Sequence, residues 1–124
     1  MSLRVLVVAD EPAGARRADE LRSFGWEIHV VQADEVVTKA LVFEPHAAVI
    51  DLSIHPARGV DAGFALRTIP NPGSDVKRLH GLPLLFVGGH DHWHNRVRAR
   101  VPAPTLVADK DLSGELWRLR SRGG

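Results

Sequence analysis

Five short apolar runs punctuate the chain, and the stretches between them carry helical periodicity or turn residues. The runs are Leu3–Ala9 (LRVLVVA), Trp26–Val31 (WEIHVV), Ala47–Ile50 within AAVIDL, Leu82–Val87 (LPLLFV) and Thr105–Ala108 (TLVA). Segments this short and this continuously apolar suit strands buried on both faces, as in a parallel sheet. Such a sheet needs helices above and below it. Ala15, Ala18, Leu21 and Phe24 supply the first helical stripe, over Ala13–Phe24, with Pro12 at its start and Gly25 at its end. Val36, Val37, Ala40 and Leu41 supply the second, closed by Pro45. A loop is predicted over Ser53–Gly59 and a third helix over Val60–Ile69. Pro70–Gly81 is a turn-rich connection. Trp93 to Arg100 predicts a short or irregular helix, because Trp93 and Val97 are its main apolar anchors and Pro102 cuts it off. Leu112, Leu116 and Leu119 mark a last helix, Leu112–Leu119. The pattern predicts a doubly wound α/β fold with a five-stranded parallel sheet in the flavodoxin-like order 2-1-3-4-5 and right-handed crossovers.

The 124 residues suit a single domain, 1–124. The 16 basic and 15 acidic residues leave a net charge of +1, which argues against a nucleic-acid partner, whose phosphates call for a concentrated basic face. The basic clusters at 96–100 and 118–122 read as solvated helix faces. No cysteine is present, so disulfides and thiolate chemistry are excluded. No apolar stretch approaches the roughly 20 residues that span a bilayer. A cytoplasmic protein without a membrane segment is expected.

Open parallel sheets bind ligands beyond the carboxyl ends of their strands, at the switch point of the strand order. Those ends carry Asp10 and Glu11, then Asp51, then Gly88, Gly89 and His90, then Asp109 and Lys110. Gathered carboxylates can hold Mg²⁺, and a lysine beside them can pair with a phosphoryl group. One aspartate could then accept that group. The plain alternative is that charges gather at loop edges because loops are solvated. Walker, dinucleotide-binding and nucleophile-elbow motifs are absent.

The segments LRVLVVADEP, AAVIDLSIHPARGVDAGFALR and LPLLFVGG resemble the first, third and fourth strand regions of response-regulator receiver domains. Gly59 stands eight residues beyond Asp51, as is usual in that family. The resemblance implies a stand-alone phosphoprotein module of two-component signalling, with no enzymatic activity of its own. It makes Asp51 the phospho-acceptor, Asp10, Glu11 and Asp51 the Mg²⁺ ligands, and Lys110 the phosphate-binding lysine. A second alignment ends the last strand at Ala108 and loses the lysine. The implied partner is a protein, either a sensor kinase or a downstream signalling protein, with a homodimer also open.

Several departures stand against an intact switch. Ala9 replaces the usual first acidic residue, with Glu11 as a partial substitute. Gly88 replaces the usual Ser or Thr, so the switch position is degenerate. Thr105 or Val107 lies where an aromatic is expected, and the usual proline falls at Pro56 rather than at 55. A receiver-like module that acts by binding a partner, with an incomplete acceptor site, is therefore expected. An alternative comes from His90, His92 and His94, joined by His55 from the same edge. In extended backbone the three alternate histidines share a face and could converge on a transition metal, giving a metal-binding protein or a small metal-dependent enzyme.

Overall fold

Alternation along the first strand decides the layers. In β1 (Arg4–Val8) every residue after Arg4 is buried. Val5 and Val7 join the core on one face of the sheet, and Leu6 and Val8 the core on the other. The computed structural model describes residues 3–68, 80–102 and 105–108. Within them β2 (Glu27–Val31), β3 (Ala47–Asp51), β4 (Leu84–Val87) and β5 (Thr105–Ala108) complete a sheet of order β2-β1-β3-β4-β5. All four neighbouring pairs are parallel. The predicted five-stranded order is the observed one.

One face is covered by α1 (Ala13–Arg22) through Ala13, Ala18 and Leu21. The other carries α2 (Val36–Phe43), α3 (Pro56–Thr68) and α4 (Asp91–Arg100), with a single 3₁₀ turn, Ala33–Glu35, leading into α2. Gly63 lets α3 lie close on the sheet, since a methyl group there would strike the Phe86 ring.

Two helices differ from expectation. The α3 helix starts at Pro56, inside the predicted loop, because a proline lacking an N–H and fixed in φ suits a first helical position. The α4 helix, expected to be short or irregular, is regular but short, ten residues and under three full turns, and it starts at Asp91. Its missing anchor is His94, which is buried together with Val97. The predicted helix over 112–119 lies outside the described residues, as do most of the turn-rich 70–81 segment and residues 109 and 110.

Two arginines tie chain ends at the amino edge of the sheet. The Arg67 side chain is buried and donates from Nε to the Pro102 carbonyl at 2.9 Å and from Nη2 to the Leu82 carbonyl at 2.6 Å. It thereby joins the approaches to β4 and β5. Arg4 donates from Nε and Nη2 to the Glu44 carbonyl, at 2.9 and 2.7 Å. Glu44 ends α2 in the left-handed region, φ 54°, a strained place for a side chain-bearing residue. The Arg4 fork holds that turn.

Candidate functional site

The register puts the expected carboxylates together. Val8 lies beside Ile50, so β1 and β3 end at the same edge, and Asp10 and Asp51 line one small cavity with His55, Arg58 and Gly59. The cavity is about 10 Å³, room for roughly one water.

Asp51 is held by its own chain. Its side chain is only 3% exposed. Arg17, from α1, donates from Nε to Asp51 Oδ2 at 2.9 Å. The Ser53 backbone N–H donates to Oδ1 at 2.7 Å, and the Ser53 hydroxyl adds a further hydrogen bond. Burial alone would raise the Asp51 pKa, but these bonds and the Arg17 charge outweigh it and hold the carboxyl below its ordinary value. Asp51 is therefore an ionised, buried carboxylate whose two oxygens are both engaged.

Asp10 has its own basic neighbours. His55 Nε2 stands 3.5 Å and Arg58 Nη1 3.8 Å from Asp10 Oδ2. Glu11, expected to help hold a metal, is exposed and lies over Gly14 at the start of α1, outside the cavity. Lys110 lies outside the described residues.

At position 88 the structure gives a steric reason for the glycine. Gly88 has φ 73°, and a methyl group built there would collide with the Ser53 hydroxyl oxygen. The hydroxyl beside Asp51 thus comes from Ser53, two residues further along the same loop, rather than from the end of β4.

The histidines do not converge, which corrects the extended-backbone reading. They sit at the start of a helix, where neighbours two apart point to different sides. His90 is the exposed residue preceding α4, and His92 is exposed on it. His94 turns inward, with Nε2 2.8 Å from the Gly88 carbonyl. Since a carbonyl only accepts, Nε2 carries the proton, and the ring ties α4 to the Gly88 turn. His55 belongs to Asp10 instead. Among the described residues, no three His, Asp or Glu side chains gather where they could hold one metal ion.

The same geometry answers for Mg²⁺. This cation needs octahedral oxygen ligands and keeps several waters. Here each Asp51 oxygen already accepts a bond from within the chain, Asp10 faces two basic side chains and Glu11 points elsewhere. The residues present do not fit the ion in this arrangement.

Sequence reasoning missed Arg17, Ser53 and Arg58. The signal for Arg17 was available. It stands four residues after Ala13 and four before Leu21, on the buried stripe of α1, where a charge needs a partner.

No protein-family profile and no curated protein matches the chain. Solved structures do. A response regulator signal receiver domain from Bermanella marisrubri superposes with a TM-score of 0.70 at 24% identity, covering 100% of both chains. A chemotaxis protein from Vibrio cholerae gives 0.71 at 15% identity, covering 98% of each. The receiver domain of a sensor histidine kinase from Pseudomonas aeruginosa, solved with a magnesium ion coordinated in its active site cleft, gives 0.69 at 19% identity, covering 98% of this chain and 97% of that one. The fold of this chain is that of the response-regulator receiver domain.

Proposed function

We propose that this chain is one receiver-like signalling module, 1–124, that acts by binding a protein partner and does not run the phosphorylation switch. The observation that carries this reading is the closed acceptor: both Asp51 oxygens are bonded within the chain, by Arg17 and Ser53. An attacking carboxylate needs a free oxygen and a cation to offset the incoming phosphoryl charge. For Asp51 to attack, the Arg17 bond to Oδ2 or the Ser53 bond to Oδ1 has to loosen first. Gly88 reinforces the point, because a ligand shifts a conformational equilibrium only through contacts that differ between the two states, and this position has no side chain to make one. With no catalytic constellation in this reading, output passes through contact with a sensor kinase or a downstream signalling protein. Among the described residues no helix is long and apolar enough to cross a membrane.

The test is incubation with acetyl phosphate and Mg²⁺, followed by intact mass, beside a receiver that labels under the same conditions. No phosphoryl adduct is expected. An adduct that disappears in Asp51→Asn would overturn the closed-site reading. Beryllofluoride is expected to leave the amide resonances of the Gly88 turn and of α4 in place. Cooperative shifts there would count equally against it.

A further inference from the structure

The disagreement between this site and a divalent cation has a specific cause. Two carboxylates at one sheet edge carry two negative charges, and a single dication would offset both. Here each has a separate basic side chain beside it: Arg17 for Asp51, and Arg58, next to the His55 ring, for Asp10. We propose that Arg17 is a tethered replacement for the divalent cation, making this edge of the molecule structurally independent of Mg²⁺. The inference rests on the closed-acceptor reading and deepens it by naming the group that does the closing.

Three features support the assignment. First, position: Arg17 bonds Oδ2 while the Ser53 N–H bonds Oδ1, so both oxygens carry a donor and Arg17 is the charged one. Second, burial: the Asp51 side chain is only 3% exposed, so its charge is little screened by water and a cation bonded to it counts for more. Third, support: Glu20, one turn along α1, stands 3.9 Å from Arg17 Nη1 and steadies the guanidinium from its outer side. A tethered cation competes at an effective concentration set by its short stem, in the millimolar range or above for short connections. A free ion must displace it and also meet its repulsion. Among the described residues Arg17 is the cation bonded to Asp51, and removing it leaves a buried carboxylate charge, a costly state that a hard cation can relieve.

The experiment is a metal titration of the whole chain without any phosphodonor. Wild type, Arg17→Ala and Arg17→Lys are titrated with Mn²⁺, read by the electron paramagnetic resonance of the free ion. Thermal melting is recorded with and without Mg²⁺. Wild type is expected to show no saturable Mn²⁺ site and no Mg²⁺-dependent melting shift. Arg17→Ala is expected to melt lower, to bind Mn²⁺ at least about tenfold more tightly than wild type and to recover melting temperature with Mg²⁺. Arg17→Lys keeps a cation on the stem and is expected to resemble wild type. Should Arg17→Ala fail to fold, Arg17→Gln carries the same comparison. Equal Mn²⁺ affinity in wild type and variant would overturn the proposal. So would a folded variant that ignores both ions, because something other than Arg17 would then exclude the metal. Neither readout depends on phosphorylation. A phosphoryl adduct on wild type would defeat the functional reading, whereas an unresponsive variant would defeat only the role of Arg17.

Discussion

The two edges of the sheet each carry an inward-turned arginine, and the two hold different things. At the amino edge Arg67 holds backbone, the carbonyls of Leu82 and Pro102. At the carboxyl edge Arg17 holds a side chain, the carboxylate of Asp51. Arg67 is only 8% exposed, and burial pushes its guanidinium down to about 10, still charged at neutral pH. A carbonyl cannot titrate and stays where the chain puts it. A carboxylate can titrate, bind an ion or accept a group. The first arginine is therefore a fastener for the fold, and the second is fastened to the one atom pair where chemistry could have happened.

The largest effect is expected where backbone is held. Arg67→Met should cost about 3 kcal/mol in chemical denaturation, because the buried Leu82 carbonyl and the half-buried contact to the Pro102 carbonyl both lose a charged donor. A loss below about 1 kcal/mol would mean that water takes over those carbonyls, and the contrast between the edges would weaken.

At the carboxyl edge the expected effect is smaller and asymmetric. Arg17→Ala strands a buried charge and should cost about 2 kcal/mol, whereas Asp51→Asn leaves a partly exposed guanidinium that water can solvate and should cost less than about 1. Equal losses would show that Arg17 acts by packing rather than by charge. Acid sharpens the same point. The folded Asp51 pKa lies below its ordinary 3.8, so its stabilising contribution is complete above that value and is lost as pH falls through the folded pKa. The stability gap between wild type and Arg17→Ala should therefore narrow as pH drops below about 4. A gap that stays constant through this range would remove Asp51 as the linked group.

The smallest effect is expected at Arg4, whose guanidinium holds the Glu44 carbonyl in an exposed setting. Arg4→Ala should cost about 0.5–1 kcal/mol, because solvent screens the interaction and can replace the donor. Together, Arg67, Arg17 and Arg4 would rank stability loss by burial. Any inversion of that order would break the comparison.

The sheet was legible because buried parallel strands leave apolar runs that little else in a short chain imitates. The meeting of Asp10 and Asp51 followed from strand order alone. What stayed hidden depended on rotation about helices. Arg17 and Arg67 both lie on buried stripes: Arg17 four residues from Ala13 and Leu21, and Arg67 four residues after Gly63. A charged letter in such a stripe reads as an interruption until its partner, 34 or 35 residues away, is seen. The histidine run misled because its spacing fits two backbones equally well, and the helix separates what a strand would align. His94 was missed as an anchor because a polar ring counts as apolar packing only once the Gly88 carbonyl is there to receive its proton.

The contact between Ser53 and Gly88 bears on stability as well as on mechanism. The Ser53 hydroxyl occupies the space that a side chain at 88 would enter, and Gly88 holds φ 73°, so a hydroxyl at the end of β4 requires both Ser53 and the backbone to shift. Gly88→Ser taken alone meets a collision and a left-handed backbone, and Ser53→Gly taken alone removes a donor from Asp51. Each single step between the two arrangements passes through a poorer protein. Residues 53 and 88 are therefore expected to be coupled, with a stability loss for Ser53→Gly together with Gly88→Ser that differs from the sum of the two single losses.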